Sequence, residues 1–174
     1  MARTSNETKM AQSRSISGIG CFGIFIALVI LLLIGTTAVR AGINNKLSDA
    51  AESLALLKGQ LDKTPQVLND LMMSVDCGER AEGAVRDAVE AVDLLPDDYT
   101  FAELENAWDL VSAAWSTLDT SCEGELDSYL QTDMRGIRDR FTFESGKYLE
   151  KRELYNSAIN EFPGRVVSWG FNEL

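Results

Sequence analysis

The feature that most constrains this chain is an uncharged stretch of 25 residues between Arg14 and Arg40. Within it, the segment from Ile19 to Ile34 is almost purely apolar. As an α-helix, such a stretch is long enough to cross the roughly 30 Å hydrocarbon core of a bilayer with some tilt. We therefore predict a transmembrane helix over residues 16–39, preceded by a short arm over residues 1–15.

A cleaved signal peptide is the alternative interpretation of this stretch. Signal peptides usually have an apolar core of only about 7–15 residues and end in a small-residue cleavage site. The apolar run is longer than that, although Thr36, Thr37 and Ala38 could form a weak cleavage site. The length therefore favours a retained anchor.

The charges beside the span predict its orientation. Three basic residues and one acidic residue precede it, whereas Arg40 and Lys46 follow it, so the asymmetry in Lys and Arg is modest. The positive-inside rule places the short N-terminal arm in the cytoplasm. We therefore expect a single-pass protein of the plasma (inner) membrane, with residues 40–174 on the extracytoplasmic side.

The segment that follows the span is strongly acidic. Residues 40–174 hold 13 of the 16 Lys and Arg and 26 of the 27 Asp and Glu, a net charge of −13. Such a domain should not bind nucleic acid by neutralising phosphates, and anionic lipid headgroups should repel it. We expect no nucleic-acid partner.

Apolar residues after the span recur at spacings of three and four, which is typical of one face of a helix. Short loops between such helices favour antiparallel neighbours, so we predict an all-α fold in which the membrane helix is followed by an elongated, antiparallel four-helix-type bundle over residues 40–163. Residues 164–174 would form a C-terminal tail, either folded back on the bundle or lying at the membrane interface. The stripe residues are Ile43, Leu47, Ala50, Leu54, Leu57 and Leu61 in the first helix; Val67, Leu71, Ser74, Gly78, Ala81, Val85, Ala88, Val92 and Leu95 in the second; Phe101, Leu104, Trp108, Val111, Trp115, Leu118, Cys122 and Tyr129 in the third; and Ile137, Phe141, Tyr148, Tyr155, Ile159 and Phe162 in the fourth.

Local signals predict where these helices begin. Thr64 suits an N-cap and Pro65 the first position of the second helix. Thr100 and Glu103 have the spacing of a capping box at the start of the third. The second helix carries mostly small residues and the third carries large ones, so we expect these two faces to interdigitate. A bend or short turn is expected near residues 131–136, before the fourth helix.

Two of the three cysteines, Cys77 and Cys122, lie in the part that the orientation argument exports, where disulfides persist. If the second and third helices run antiparallel about a turn near residue 97, the axial offset between these cysteines is under about 10 Å. A small shift of register would bring them within bonding reach, so we predict a Cys77–Cys122 disulfide. Two buried free thiols are the alternative, because cysteine also packs as a small hydrophobe.

The sequence offers little for catalysis or metal binding. It has no histidine, and its two exported cysteines are far apart, so a zinc site lacks ligands. The acidic groups Asp97-Asp98 and Glu123, Glu125 and Asp127 do not follow the pattern of a calcium-binding loop and are better explained as solvated surface. No nucleophile elbow or phosphate-binding glycine loop is present. We expect no catalytic, cofactor or metal-binding residues, and no cofactor.

The C-terminal part resembles a known family. Tyr155-Asn156, followed by Phe162-Pro163, gives the pattern Tyr-Asn-x5-Phe-Pro, which is similar to the signature near the end of LemA family proteins. Tyr148 occupies the earlier tyrosine position of that signature, where leucine replaces the asparagine. The resemblance implies a membrane-anchored helical bundle that acts in envelope or membrane organisation, without known catalytic chemistry, and it supplies no active-site residues.

These observations lead to one main functional expectation. An interaction or scaffold protein would use the span as its anchor and present the acidic helices to extracytoplasmic protein partners or to further copies of itself. The alternative is a ligand-sensing four-helix bundle that signals through a membrane partner, which requires a pocket between helices. A cryptic hydrolase is a third class, and it requires a cleft with carboxylates of perturbed pKa.

Overall fold

The computed structural model describes residues 5–75, 77–122 and 126–174, with side chains from residue 23 onward. No strand occurs in these ranges, so the prediction of an all-helical protein with a long apolar N-terminal helix is confirmed. The helices are α1 (Ser5–Leu61), α2 (Thr64–Ser74), α3 (Gly78–Asp93), α4 (Phe101–Ser121), α5 (Ser128–Asn160) and the single-turn α6 (Gly164–Val167).

Helix α1 contains the uncharged stretch and continues beyond it without a break. Its large apolar side chains from Ile24 to Ile34 are exposed, and α1 is the one helix in the described ranges that is long and apolar enough to cross a membrane. The sequence predicted a span and a separate first helix. The structure joins them, because residues 35–42 contain no proline and keep the helical backbone. The side chains of the 1–15 arm lie outside the described residues.

The second predicted helix is two helices, α2 and α3. Helix α2 ends at Ser74, and α3 begins at Gly78, whose φ of +71° lies in the left-handed region that favours glycine. The predicted stripe was carried through the break on Ser74 and Gly78, but both residues are exposed, so the stripe is interrupted there. The predicted N-cap at Thr64 is also wrong. Thr64 is the first helical residue, its hydroxyl donates to the Leu61 carbonyl at 2.7 Å, and Lys63 occupies the cap position.

The capping box at the start of α4 is confirmed. The Thr100 amide donates to Glu103 Oε2 at 2.6 Å, and the Glu103 amide donates to Thr100 Oγ1 at 3.3 Å. The hydrogen bond from the Thr100 backbone amide, followed by that from its hydroxyl, lowers the pKa of Glu103 below its ordinary value of 4.5.

The predicted boundary between the third and fourth helices is displaced. Helix α4 ends at Ser121, and α5 begins at Ser128 and runs unbroken through the expected bend at residues 131–136. The signal that the sequence analysis missed is Asp127, whose Oδ1 accepts from the Tyr129 and Leu130 amides at 2.8 and 3.1 Å and so caps α5. Tyr129 consequently falls in the first turn of α5 and is 70% exposed, so its assignment to the buried stripe was wrong.

The chain divides into two compact units, of which residues 46–155 form the larger. Its buried cluster draws on α1 to α5 and runs from Ala50 to Tyr148. Two ring pairs define how α4 meets α5: Phe101 stacks on Tyr148 at 4.7 Å between ring centroids, and Trp108 stacks on Phe141 at 4.3 Å. As the α4 number rises by seven the α5 number falls by seven, so these two helices are antiparallel. The large residues of α4 therefore pack on aromatic residues of α5. From the sequence we had expected them to pack only on the small residues of the second predicted helix.

The smaller unit comprises residues 1–45 and 156–174. Its buried residues outside the main cluster are Ile43, Ile159, Gly164 and Val167. Phe162 was predicted to be the last residue of the buried aromatic stripe, but it is 85% exposed because α5 has already ended at Asn160.

Candidate functional site

Arg40 occupies the point at which α1 leaves its uncharged stretch, and it binds the C-terminal tail. Its Nη1 atom donates to the carbonyl oxygens of Val167 and Trp169 at 3.1 and 3.2 Å. Its Cζ atom lies 4.4 Å from the ring centroid of Trp169 and 5.2 Å from that of Phe171. Guanidinium groups over aromatic faces are attracted by the ring quadrupole. We call this set of contacts the Arg40 clasp.

The tail supplies the carbonyls for the clasp because α6 is short. A helix of one turn leaves its last carbonyls without intrahelical partners. Basic side chains stabilise a helix C-terminus by donating to such carbonyls, and Arg40 does this from another helix. The Phe171 amide donates to the Ser168 carbonyl at 2.8 Å, which folds the chain back toward Arg40 after α6.

The end of α5 holds the other side of the tail. Asn156 Oδ1 accepts from the Leu174 amide at 3.2 Å, and Asn160 Nδ2 donates to Glu173 Oε1 at 2.6 Å. These two asparagines are one helical turn apart, so they face the tail together. The tail is therefore held by α1 through Arg40 and by α5 through two amide side chains.

Gly164 allows the turn between α5 and α6. A Cβ atom added at Gly164 would lie 1.7 Å from the backbone oxygen of Ala158. Because that neighbour is backbone rather than a flexible side chain, it cannot move away cheaply. Only glycine fits this approach.

The tail also carries an exposed apolar surface. Phe162, Val166 and Trp169 are 85%, 70% and 76% exposed, whereas Val167 between them is buried. Large apolar side chains grouped on a surface commonly mark an interaction site. We call these three side chains the tail face.

The residues of the LemA-like signature take separate places in the structure. Tyr148 and Tyr155 are buried in the larger unit, and burial raises the pKa of both hydroxyls, with the charge of Arg152 opposing this at Tyr148. Asn156 binds the tail, while Phe162 and Pro163 are exposed at the turn that follows α5. The signature thus combines core packing with attachment of the tail.

Cys77 and Cys122 meet where α3 begins and α4 ends. Their sulfur atoms are 2.01 Å apart, the distance of a disulfide bond, and their Cα atoms are 3.9 Å apart. The turn between Leu94 and Thr100 makes α3 and α4 an antiparallel pair, which is the geometry that the predicted pairing requires. The bond would close a loop across both helices.

A groove of about 300 Å³ lies between α4 and α5. Trp108 and Trp115 form an apolar wall on α4, and Arg135 and Arg138 stand on α5. Hydroxyl, carboxylate and thioether groups complete the lining, from Ser112, Ser116, Asp119 and Met134. Clefts lined by aromatic side chains with a few polar or charged groups are typical of small-molecule sites. Both tryptophans were predicted to be core residues, and both are partly buried and pack against the core cluster as well.

The acidic groups considered as metal sites are described only in part. In the side chains that the structure describes, no three His, Cys, Asp or Glu lie close enough to hold an ion. Asp127 serves as a helix cap, and Glu123 and Glu125 lie outside the described residues.

Comparison with known proteins gives no assignment: no protein-family model, curated protein or solved structure matches this chain.

Proposed function

We propose that this chain is a membrane-anchored interaction or scaffold protein that acts in envelope or membrane organisation. The main support is that α1 exposes every large apolar side chain from Ile24 to Ile34. The described residues beyond this segment, in contrast, build a well-packed core. A helix with this surface is stable in lipid and would aggregate in water. The resemblance of residues 148–163 to the LemA signature supports the same class.

We further propose that the helices beyond the span form an antiparallel, elongated bundle on the extracytoplasmic side of the plasma (inner) membrane. The antiparallel ring pairs between α4 and α5 support the bundle. The proximity of Cys77 and Cys122 supports the location, because disulfides persist outside the cytoplasm. The Lys and Arg counts at the two ends of the span support the orientation.

The partners are proteins or further copies of this chain. Exposed apolar residues on the larger unit provide the contact surface for them: Leu56, Met73, Leu94, Leu110, Tyr129, Phe143, Leu149 and Leu154. The net charge of −13 beyond the span disfavours nucleic acid and anionic surfaces as partners.

Orientation is tested by labelling single cysteines with a membrane-impermeant maleimide, in a Cys21→Ser background whose other cysteines are paired. Asn44→Cys, which is exposed just beyond the span, should react in intact cells or spheroplasts. Ser5→Cys should react only after permeabilisation. The reverse pattern would overturn the orientation, and loss of the chain from the membrane by alkaline carbonate would overturn the anchor.

Partner binding is tested by placing a photo-reactive phenylalanine at Phe143 and, as a control, at Asp139, which is also exposed but polar. We expect a discrete crosslinked species in intact membranes from Phe143 only. Equal crosslinking at both positions, or no crosslink from Phe143, would contradict a scaffold.

A ligand-sensing bundle is the second candidate, and the groove between α4 and α5 is the observation that favours it. Two indoles facing two guanidinium groups suit a small planar anion such as an aromatic carboxylate. Signalling would pass through a membrane partner. This candidate is tested by measuring the unfolding temperature of the full chain in detergent with a panel of aromatic carboxylates. A ligand should raise the unfolding temperature of the wild type but not that of Arg138→Gln.

A further inference from the structure

The uncharged stretch defines where α1 leaves the hydrocarbon core. Thr36 and Thr37 have polar hydroxyls, but each donates to a carbonyl of its own helix, Leu33 and Ile34 respectively, at 2.9 Å. Such internally bonded hydroxyls are tolerated in lipid, because no polar group is left without a partner. The first charge, Arg40, therefore comes at the edge of the hydrocarbon core.

The Arg40 clasp holds the tail at this same level. Thr37, whose hydroxyl is bonded within the helix, and Arg40 are three residues apart, about 4.5 Å along the helix axis. The headgroup layer extends roughly 5–8 Å beyond the hydrocarbon core on each side. Trp169, whose ring centroid is 4.4 Å from the Arg40 Cζ atom, thus lies at the depth where tryptophan is enriched in membrane proteins.

We propose that the tail face, formed by Phe162, Val166 and Trp169, inserts into the headgroup layer of the bilayer that α1 crosses and anchors the chain a second time. This inference rests on the proposed membrane span. Exposed to water, three large apolar side chains would remain hydrated. In the headgroup layer their apolar parts are buried while the indole N–H keeps a polar partner.

The charges around the tail favour insertion driven by apolar burial. Arg165 is the basic residue of the tail, Glu173 is its acidic residue, and Glu161 lies in the turn before it, so the tail has no cluster of basic residues. Arg40 donates to two carbonyls and lies against two rings, so its contacts are within the chain itself. Insertion should therefore occur in zwitterionic phosphatidylcholine and should not weaken as salt is raised.

The test uses the full chain carrying Trp108→Phe and Trp115→Phe, so that Trp169 is the remaining tryptophan. It is reconstituted in phosphatidylcholine vesicles whose acyl chains carry bromine, a contact quencher, either close to the glycerol or near the chain ends. We expect loss of Trp169 emission with the shallow bromines, a smaller loss with the deep ones, and little quenching by aqueous iodide. The same chain in unbrominated vesicles is the reference.

Two results would overturn the inference. Quenching by iodide but not by bromine would put the tail face in water, and protection from both quenchers would mean that protein covers it, such as a second copy of the chain. Should the double tryptophan variant lose helical content, an environment-sensitive fluorophore on Val166→Cys, in a Cys21→Ser background, gives the same readout.

Alkaline carbonate extraction separates this inference from the proposed function. A chain that stays in the membrane while Trp169 is in water would overturn the second anchor alone. A chain that carbonate removes would overturn the span and the second anchor together.

Discussion

The guanidinium of Arg40 lies over the indole ring of Trp169, 129 positions further along the chain, with 4.4 Å between Cζ and the ring centroid. The same guanidinium donates to the carbonyls of Val167 and Trp169. One side chain at the end of the uncharged stretch thus fixes both the backbone and the aromatic ring of the tail.

Removing Arg40 should free the tail. Hydrogen bonds from charged groups contribute about 1.5 kcal/mol or more, so Arg40→Ala should speed hydrogen exchange in residues 164–174 by about tenfold. Arg40→Lys should restore little of this protection, because ammonium lacks the planar fork of guanidinium. Lys46→Ala, which removes a charge from the same helix, is the control. Equal exchange in the Arg40→Ala and wild-type tails would contradict the clasp.

Gly164→Ala should displace the tail as well, because the new methyl group would overlap the Ala158 carbonyl oxygen. We expect faster exchange and faster carboxypeptidase cleavage of the tail, with the core of the larger unit unaffected. Gly146→Ala is the matched control. It lies inside α5 in open space and should stabilise the helix by about 0.5–1 kcal/mol. Similar behaviour of the two variants would argue against the close approach at Gly164.

The pairing of Cys77 with Cys122 should contribute substantially to stability. The two cysteines are 45 residues apart in sequence, and the chain-entropy relation gives about 4 kcal/mol for a loop of that length. In detergent, the double variant Cys77→Ser/Cys122→Ser should unfold at a lower urea concentration than the wild type. Reductant should shift the unfolding midpoint of the wild type toward that of the variant. Cys21→Ser should keep the wild-type response. No effect of reductant would mean that the two thiols are free.

Ser53 offers a stabilising substitution. It is fully buried in α1, and its hydroxyl oxygen has no hydrogen-bond partner among the described residues. Because an unsatisfied buried hydroxyl costs about 1–3 kcal/mol, Ser53→Ala should raise the free energy of unfolding by roughly 1 kcal/mol or more. Ser48→Ala, exposed on the same helix, gains only the helix propensity of alanine, up to about 0.5 kcal/mol. Denaturant unfolding of both variants measures the difference, and equal gains would contradict an unsatisfied hydroxyl at Ser53.

The capping box predicts a pH dependence. Hydrogen bonds from Thr100 lower the pKa of Glu103 in the folded state, so its contribution to stability is complete above pH 4.5 and is lost as pH falls below that value. Below pH 4.5, the free energy of unfolding of Glu103→Gln should depend less on pH than that of the wild type. Glu105→Gln, in the same helix and outside the capping box, is the control. Identical pH profiles for the wild type and Glu103→Gln would disprove the linkage.

The sequence predicted the elements whose causes are local. Thr100 and Glu103 are three residues apart, so their capping box depends on nothing beyond that turn. Phe141, Tyr148 and Tyr155 recur every seven residues, and all three are buried. The break at Gly78 was missed because the spacing of three and four residues was carried through Ser74 and Gly78, which are not large apolar residues and are exposed.

The contacts of the tail depend on residues far apart in sequence. Nothing near Arg40 indicates a partner more than 120 residues away. The LemA-like pattern includes Asn156 but does not indicate that it binds the tail, and nothing in the sequence distinguishes Asn160 from other polar residues of the helix. The exposure of Phe162 has a different, local origin. Its spacing matches the aromatic stripe, but the helix that would bury it ends two residues earlier.

The clasp also sets an order on synthesis. The carbonyl of Val167 is 127 residues from Arg40, so the contact can form only after that much more chain has been made. A chain interrupted anywhere in between lacks both carbonyl acceptors of the clasp and leaves the Arg40 guanidinium without them. The end of the uncharged stretch can therefore gain this contact only after translation has passed residue 169.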